Sequence, residues 1–183
     1  MAANLTNANP QRWSALRKLP WIVAAIILLL PAVAMQFNVE GVVWTASDFI
    51  VMGVILLIAC GSFEVLARSA PNFAYLAAAA IAIGTGFLMV WANLAVGIVG
   101  DGINGANLMF FGVVLVAIVA TLLARFRAPA MAPAMFATAG ALVLAIAIAL
   151  AVFGATALEA GLTMVFVAGW LVSAALFRLS AKQ

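Results

Sequence analysis

The chain contains six apolar runs of about 20 residues, separated by short polar connections. A run of about 20 residues can cross the hydrocarbon core of a bilayer as an α-helix. The residues are 69% hydrophobic and 7% charged, against about 45–50% apolar and about 25% charged in soluble globular proteins. The sequence therefore predicts an all-α, polytopic membrane protein with six transmembrane helices and no soluble domain. The predicted spans are about 19–36, 45–67, 72–99, 107–124, 133–153 and 160–177.

The basic residues occupy alternate connections between these runs. They are Arg12, Arg17, Lys18, Arg68, Arg125, Arg127, Arg178 and Lys182. The other connections carry only the acidic residues Glu40, Asp101 and Glu159. Because Lys and Arg near helix ends are retained on the cytoplasmic side, we expect both termini to be cytoplasmic. The prediction is a cytoplasmic segment over 1–18, a six-helix transmembrane domain over 19–178 and a cytoplasmic tail over 179–183.

The first run also has the parts of a secretory signal. A basic leader precedes the apolar segment Trp21–Leu30, and the small residues of Ala32–Ala34 imitate a cleavage site. The apolar stretch continues through Met35, which favours an uncleaved first helix. Cleavage would leave five spans in the same orientation.

Prolines and small residues predict helix starts and helix contacts. Pro20, Pro71 and Pro133 are expected at the starts of spans one, three and five, where a missing N–H costs no hydrogen bond. Span three is long enough to tilt or to break near its outer end. Small residues recur every four positions in spans three and five, and such faces let helix backbones approach closely in lipid, so we expect these two spans to form the packed centre. The two rows are Ala78, Ala82 and Gly86, and Ala137, Ala141, Ala145 and Ala149.

The segment that begins at Asp48 is weakly repeated 59 residues later at Asn107, an offset that also aligns Arg68 with Arg127. Three tandem helical hairpins, related by an axis along the membrane normal, would produce this pattern. The alternative is that any helix running from outside to inside begins acidic and ends basic.

The absence of histidine argues against most metal-binding and catalytic functions. Haem ligation, most zinc sites and most general acid–base catalysis use imidazole, and the single cysteine, Cys60, allows no internal disulfide. We therefore expect no metal site, no cofactor and no enzymatic activity. An intramembrane enzyme is the third hypothesis, although the nucleophile–base pairs that it needs are missing. The basic residues are scattered singly, so we expect contacts with anionic membrane lipids and no binding of nucleic acid.

Two carboxylates, Asp48 and Glu64, lie within the predicted spans, where an ionisable residue is a functional-site hypothesis by default. Each also has a structural interpretation. Thr45 can cap span two, with Asp48 in the first turn at the positive end of the helix dipole. Glu64 precedes Arg68 by four residues, the favourable order for a helical ion pair at the inner edge.

The connection over 100–107 contains three glycines and the oxygen-bearing side chains of Asp101, Asn104 and Asn107, which suit a hard cation. The remaining ligands of a calcium loop are missing, so a turn in which Asn107 caps span four is the alternative. Asn93 lies in span three within or near hydrocarbon, where its amide needs a partner. With Asp48, these four residues define a candidate polar or ion site in the outer half.

The stretch VWANLAVGIVGD over 90–101 is followed by NGANLMFFG over 104–112. Across roughly residues 44–150, this pattern resembles small multi-pass bacterial inner-membrane proteins that have no assigned function. The resemblance implies a bacterial inner-membrane location and assigns no functional residue.

Two hypotheses on function remain. The first is a non-enzymatic accessory, assembly or structural subunit that acts through helix packing with protein or lipid, in a larger membrane complex or as a homo-oligomer. The second is a small ion or solute transporter or channel, with Asp48, Asn93 and the 100–107 connection as an outer vestibule and Glu64 as an inner gate. A transport path predicts that Asp48 and Asn93 face the bundle interior, whereas a packing protein predicts that they cap or pair locally.

Overall fold

The computed structural model describes residues 10–100 and 104–183 of the chain, and the side chains of these residues from Arg17 onward. Within those ranges every regular element is a helix, and each of the six is long and apolar enough to cross a membrane. The helices are α1 (Pro10–Gln36), α2 (Ala46–Arg68), α3 (Phe73–Ala95), α4 (Gly105–Leu123), α5 (Ala128–Val152) and α6 (Ala157–Ser180). The all-α class and the six membrane-length helices are confirmed, while the sidedness of the termini and the tandem hairpins stay predictions.

Two proline positions differ from the sequence prediction. α1 begins at Pro10, so Pro20 lies inside the helix and not in its first turn. α5 begins at Ala128 with Pro129 in its first turn, which leaves Pro133 inside the helix. Both predictions were wrong because each helix continues on the N-terminal side of its proline, through a polar and basic segment over residues 10–19 in α1 and through small residues over 128–132 in α5. A proline inside a membrane helix is tolerated because neighbouring groups and local adjustments of the helix satisfy the freed carbonyl.

α3 ends earlier than its apolar run does. The helix stops at Ala95, and Gly97 then adopts a φ of +79°, a left-handed conformation that is accessible to glycine at little cost. The run breaks near its C-terminal end, and a break was one of the two outcomes expected from its length. Residues 96–100 are therefore irregular backbone close to a membrane-length helix, and their N–H and C=O groups need partners from the protein.

The chain divides into two compact units. The first, Met1–Arg68, holds α1 and α2, which pack against each other. The second, Ser69–Gln183, holds α3 to α6. In the first unit, α2 carries a buried stripe, whereas the span within α1 is 6% buried and leaves most of its apolar side chains exposed.

In the four-helix unit, α6 packs against both α5 and α3, α5 also packs against α4, and α4 touches α3. The spans of α3 and α5 are the most buried of the six, each 39% buried, although among the described residues these two helices make no extensive contact with each other and α6 packs against both. Ala78 and Ala82 are buried as expected, but Ala137 is exposed. A row of residues four apart advances about 40° beyond one full turn at each step, so in α5 only Ala145 and Ala149 of the row reach the buried face.

The buried face of α5 instead follows alternating steps of four and three residues. This is the spacing that keeps a seam in register in left-handed helix bundles, in water and in membranes. Its members are Met131, Met135, Thr138, Leu142, Ala145 and Ala149.

Candidate functional site

Asp48 lies in the first turn of α2 and accepts hydrogen bonds from the residue that precedes the helix. Its Oδ2 accepts hydrogen bonds from the backbone N–H of Thr45 at 2.7 Å and from Thr45 Oγ1 at 2.8 Å. The hydroxyl of Thr45 in turn accepts from the N–H of Asp48 at 3.4 Å. The carboxylate is exposed, and its first role in the structure is to satisfy donors at a helix end.

Glu64 lies between two guanidinium groups of the first unit. Arg17 Nε donates to Glu64 Oε2 at 3.0 Å, and Arg17 Nη2 donates to Oε1. Arg68 Nε donates to the same Oε1 at 3.2 Å. Glu64 therefore ties α1 to α2 through a bidentate pair and also binds within its own helix. Arg17 is a partner that the sequence analysis missed because 47 residues separate it from Glu64.

Three asparagines in the second unit form hydrogen bonds with the backbone of the connection between α3 and α4 and of the adjoining helix start. Asn107 is buried, and its Oδ1 accepts from the backbone N–H groups of Ile98 and Val99, both at 3.0 Å. Its backbone oxygen accepts from Asn93 Nδ2 at 2.8 Å. Asn104 accepts from the N–H of Asn107 at 2.8 Å and donates to the carbonyl of Val99 at 2.8 Å. We call Asn93, Asn104 and Asn107 the asparagine cluster.

The asparagine cluster corrects one detail of the sequence analysis. The residue that caps α4 is Asn104, whose side chain accepts from the third residue of the helix, and not Asn107. Asn107 instead turns its amide oxygen back to the irregular segment that follows α3. The physical reason is the early end of α3, which leaves two buried N–H donors that need an acceptor.

Glu159, at the start of α6, completes the same connection. Its Oε1 accepts from the backbone N–H of Gly100 at 2.8 Å. Its Oε2 accepts from the N–H and the hydroxyl of Thr156, both at 2.7 Å, in a capping box. Three successive backbone donors, at Ile98, Val99 and Gly100, are therefore bound by one asparagine and one glutamate. Sequence reasoning placed Glu159 only in a connection, although the pattern Thr156-x-x-Glu159 signals the capping box.

The structure brings Asn93, Asn104 and Asn107 together, whereas Asp48 and Glu64 belong to the other unit. Asp101 lies outside the described residues. The oxygens of Asn104 and Asn107 that could face a cation accept backbone N–H groups instead.

Three buried polar atoms of the described chain have no hydrogen-bond partner: Asn93 Oδ1, Trp170 Nε1 and Ser180 Oγ. Trp170 lies over Gly86, where an added Cβ would be 3.5 Å from the indole ring, so this tryptophan is a packing residue of α6 against α3. Asn93 is 6% exposed. Its Nδ2 donates a hydrogen bond, but its amide oxygen, Oδ1, accepts none.

The chain matches no protein-family model, no curated protein and no solved structure. Its function is therefore inferred from the arrangement of its own residues. Asp48, Glu64, Glu159 and the asparagine cluster all hold helix ends or connections in place through hydrogen bonds.

Proposed function

We propose that this chain is a non-enzymatic integral membrane protein that serves as an accessory, assembly or structural subunit. It acts through helix packing with a protein partner, which can be a second copy of itself, and with lipid. The basic residues in alternate connections and the resemblance to small bacterial inner-membrane proteins support a bacterial inner-membrane location with cytoplasmic termini.

The main support for this proposal is an exposed apolar stripe on α1. Four large apolar residues on this side follow steps of four, three and four residues, and each is at least half exposed. We call them the α1 stripe: Ile22, Ile26, Leu29 and Val33. The same spacing forms the buried seam of α5, so the α1 stripe has the geometry that a partner helix would pack against.

The use of the carboxylates also supports packing over transport. A transport path would draw on acidic groups that are free to bind and release an ion. Asp48 is hydrogen-bonded to Thr45 at the end of α2, and Glu64 is paired with Arg17 and Arg68. Both side chains therefore have local structural partners.

Site-specific photo-crosslinking in native membranes tests the proposal. A photoreactive residue at Leu29 samples the α1 stripe, and one at Leu144, 61% exposed on α5, is the control on a surface of similar polarity. We expect Leu29 to give an adduct of discrete protein mass, identified by mass spectrometry, and Leu144 to give lipid adducts. Lipid adducts at both positions would contradict a protein partner on α1.

One observation favours the alternative of a small transporter or channel. A buried amide oxygen without a donor costs about 1–3 kcal/mol, and a permeating cation or solute donor would relieve that cost at Asn93. In vesicles of reconstituted protein, Asn93→Leu would then abolish the flux of protons or K⁺, while Asp48→Asn tests the cap alone. The absence of flux in the unmodified protein would exclude this alternative for these ions.

A further inference from the structure

Four basic side chains gather at one end of the four-helix unit. Two lie in the connection between α4 and α5, and two lie at the end of α6 and just beyond it; all four are exposed. We call them the basic end: Arg125, Arg127, Arg178 and Lys182. Within the described residues, the ion pairs join Glu64 to Arg17 and Arg68 in the other unit, so none involves the basic end. The described acidic residue of this unit, Glu159, is about 28 Å of helix away from Arg178.

Tyr75 connects the two pairs of basic residues. Its hydroxyl donates to the carbonyl of Phe126, which lies between Arg125 and Arg127, at 2.7 Å. Its ring meets Phe177, the neighbour of Arg178, edge to face with centroids 5.0 Å apart. The buried tyrosine therefore fixes both pairs at one level of the bundle.

The backbone adds to the positive potential at this level. α5 begins next to the basic end, has no acidic residue in its first turn, and its N-cap, Arg127, makes no side-chain capping bond. The partial positive charge of the α5 N-terminus is thus added to that of the four side chains. Asn72 Nδ2 donates to the carbonyl of Ser180 at 3.1 Å, which holds the end of α6 beside the start of α3.

Exposed apolar side chains lie directly beside the cations. Leu122 and Leu123 are 58% and 78% exposed before Arg125, and Leu179 is 52% exposed after Arg178. An acidic protein segment would form ion pairs with the basic side chains but would leave these leucines exposed. A phospholipid offers phosphate to the cations and acyl chain to the leucines, so it matches both parts of the surface.

We propose that the basic end is a binding site for the headgroup of an anionic phospholipid, with preference for a lipid that carries two phosphates. One phosphate is bound by Arg125 and Arg127 and the other by Arg178 and Lys182. The site requires only that the four-helix unit spans a membrane, so it holds whether the protein assists assembly or transports a solute.

Native mass spectrometry of the full chain in neutral detergent tests the site. Diphosphatidylglycerol, phosphatidylglycerol, phosphatidylcholine and inorganic phosphate are titrated separately. We expect the two-phosphate lipid to bind most tightly, phosphatidylcholine to bind at least tenfold more weakly, and millimolar phosphate to leave the lipid bound. Displacement of the lipid by inorganic phosphate would assign the site to free anions and overturn the lipid assignment.

Paired substitutions identify the residues. Arg125→Gln with Arg127→Gln, and separately Arg178→Gln with Lys182→Gln, should each weaken lipid binding on the order of 25-fold, about fivefold per residue. Lys18→Gln with Arg68→Gln removes the same charge from the first unit and should change binding less than twofold. Arg125→Lys with Arg127→Lys retains the charge and should retain most of the binding, which separates loss of charge from loss of fold. Equal affinity in all of these variants would overturn the site.

Discussion

At the scale of single residues, small side chains decide how closely α3 and α6 approach each other. Gly169 on α6 faces Thr85 on α3, and a Cβ on this glycine would collide with the threonine hydroxyl. Four residues further along α6 and two turns earlier in α3, Ser173 Oγ donates to the carbonyl of Ala78 at 2.9 Å. Small residues and an interhelical hydrogen bond thus occur on the same contact, which is the usual way in which helices associate in lipid.

Gly169→Ala is expected to lower the free energy of unfolding by about 1–3 kcal/mol, because the added methyl overpacks the contact with Thr85. The measurement is unfolding by SDS titration of the protein in detergent micelles. The matched control is Gly161→Ala on the same helix, where nothing lies within 4 Å of the new Cβ. This control should be neutral or gain up to about 1 kcal/mol from helix propensity.

Adding Thr85→Ala to Gly169→Ala should restore most of the loss, since it removes the hydroxyl and methyl that collide with the new side chain. If the double variant is less stable than Gly169→Ala by the full cost of Thr85→Ala alone, the two positions are not coupled and the contact is not the cause.

Local patterns were the part of the polar site that the sequence could predict. Thr45 and Asp48 are three residues apart, and a pattern of that length specifies its own hydrogen bonds. The pairing of Arg17 with Glu64 and the bond from Gly100 to Glu159 span 47 and 59 residues. Such pairs depend on which helix packs beside which, and composition and spacing do not contain that information.

At the scale of elements, the helix ends were predictable to within five residues, except for the start of α1, which lies nine residues before the predicted start. The contact faces were not predictable. Apolar length gives the number of membrane helices directly. In a helix as rich in small and apolar residues as α5, however, every face resembles a contact face, so the alanine row at four-residue spacing matches the buried face only at Ala145 and Ala149. The seam at alternating steps of four and three residues is the one that the packing selects.

Glu159→Ala should loosen the connection between α3 and α4 as well as the start of α6. The variant loses the capping box and the acceptor of the Gly100 N–H, so amide hydrogen exchange in residues 98–100 is expected to rise. Hydrogen exchange followed by mass spectrometry measures this effect. Asp48→Ala is the control, since it removes a comparable cap from α2 and should leave exchange in 98–100 unchanged. Unchanged exchange in the Glu159 variant would show that the asparagine cluster holds the connection by itself.

At the scale of the whole molecule, the single cysteine makes the predicted orientation easy to test. Cys60 is buried, and Cys60→Ser provides a background without thiols. In that background, Glu40→Cys should react with a membrane-impermeant maleimide on intact spheroplasts, whereas Arg127→Cys should react only in inverted vesicles. Labelling of Arg127→Cys from the outside would reverse the orientation and, with it, the cytoplasmic placement of both termini.

The hydrogen bond between the Gly100 N–H and the Glu159 carboxylate can form only late in biosynthesis. A ribosome that adds about 5–20 residues per second needs roughly 3–12 s to make the 59 residues that separate the two partners. During that interval α4 and α5 are still being synthesised, and throughout it the N–H of Gly100 lacks its final acceptor. Maturation of this turn therefore waits for the last helix to leave the translocon, and a nascent chain that stalls before α6 presents an unfinished turn to the quality-control machinery of the membrane.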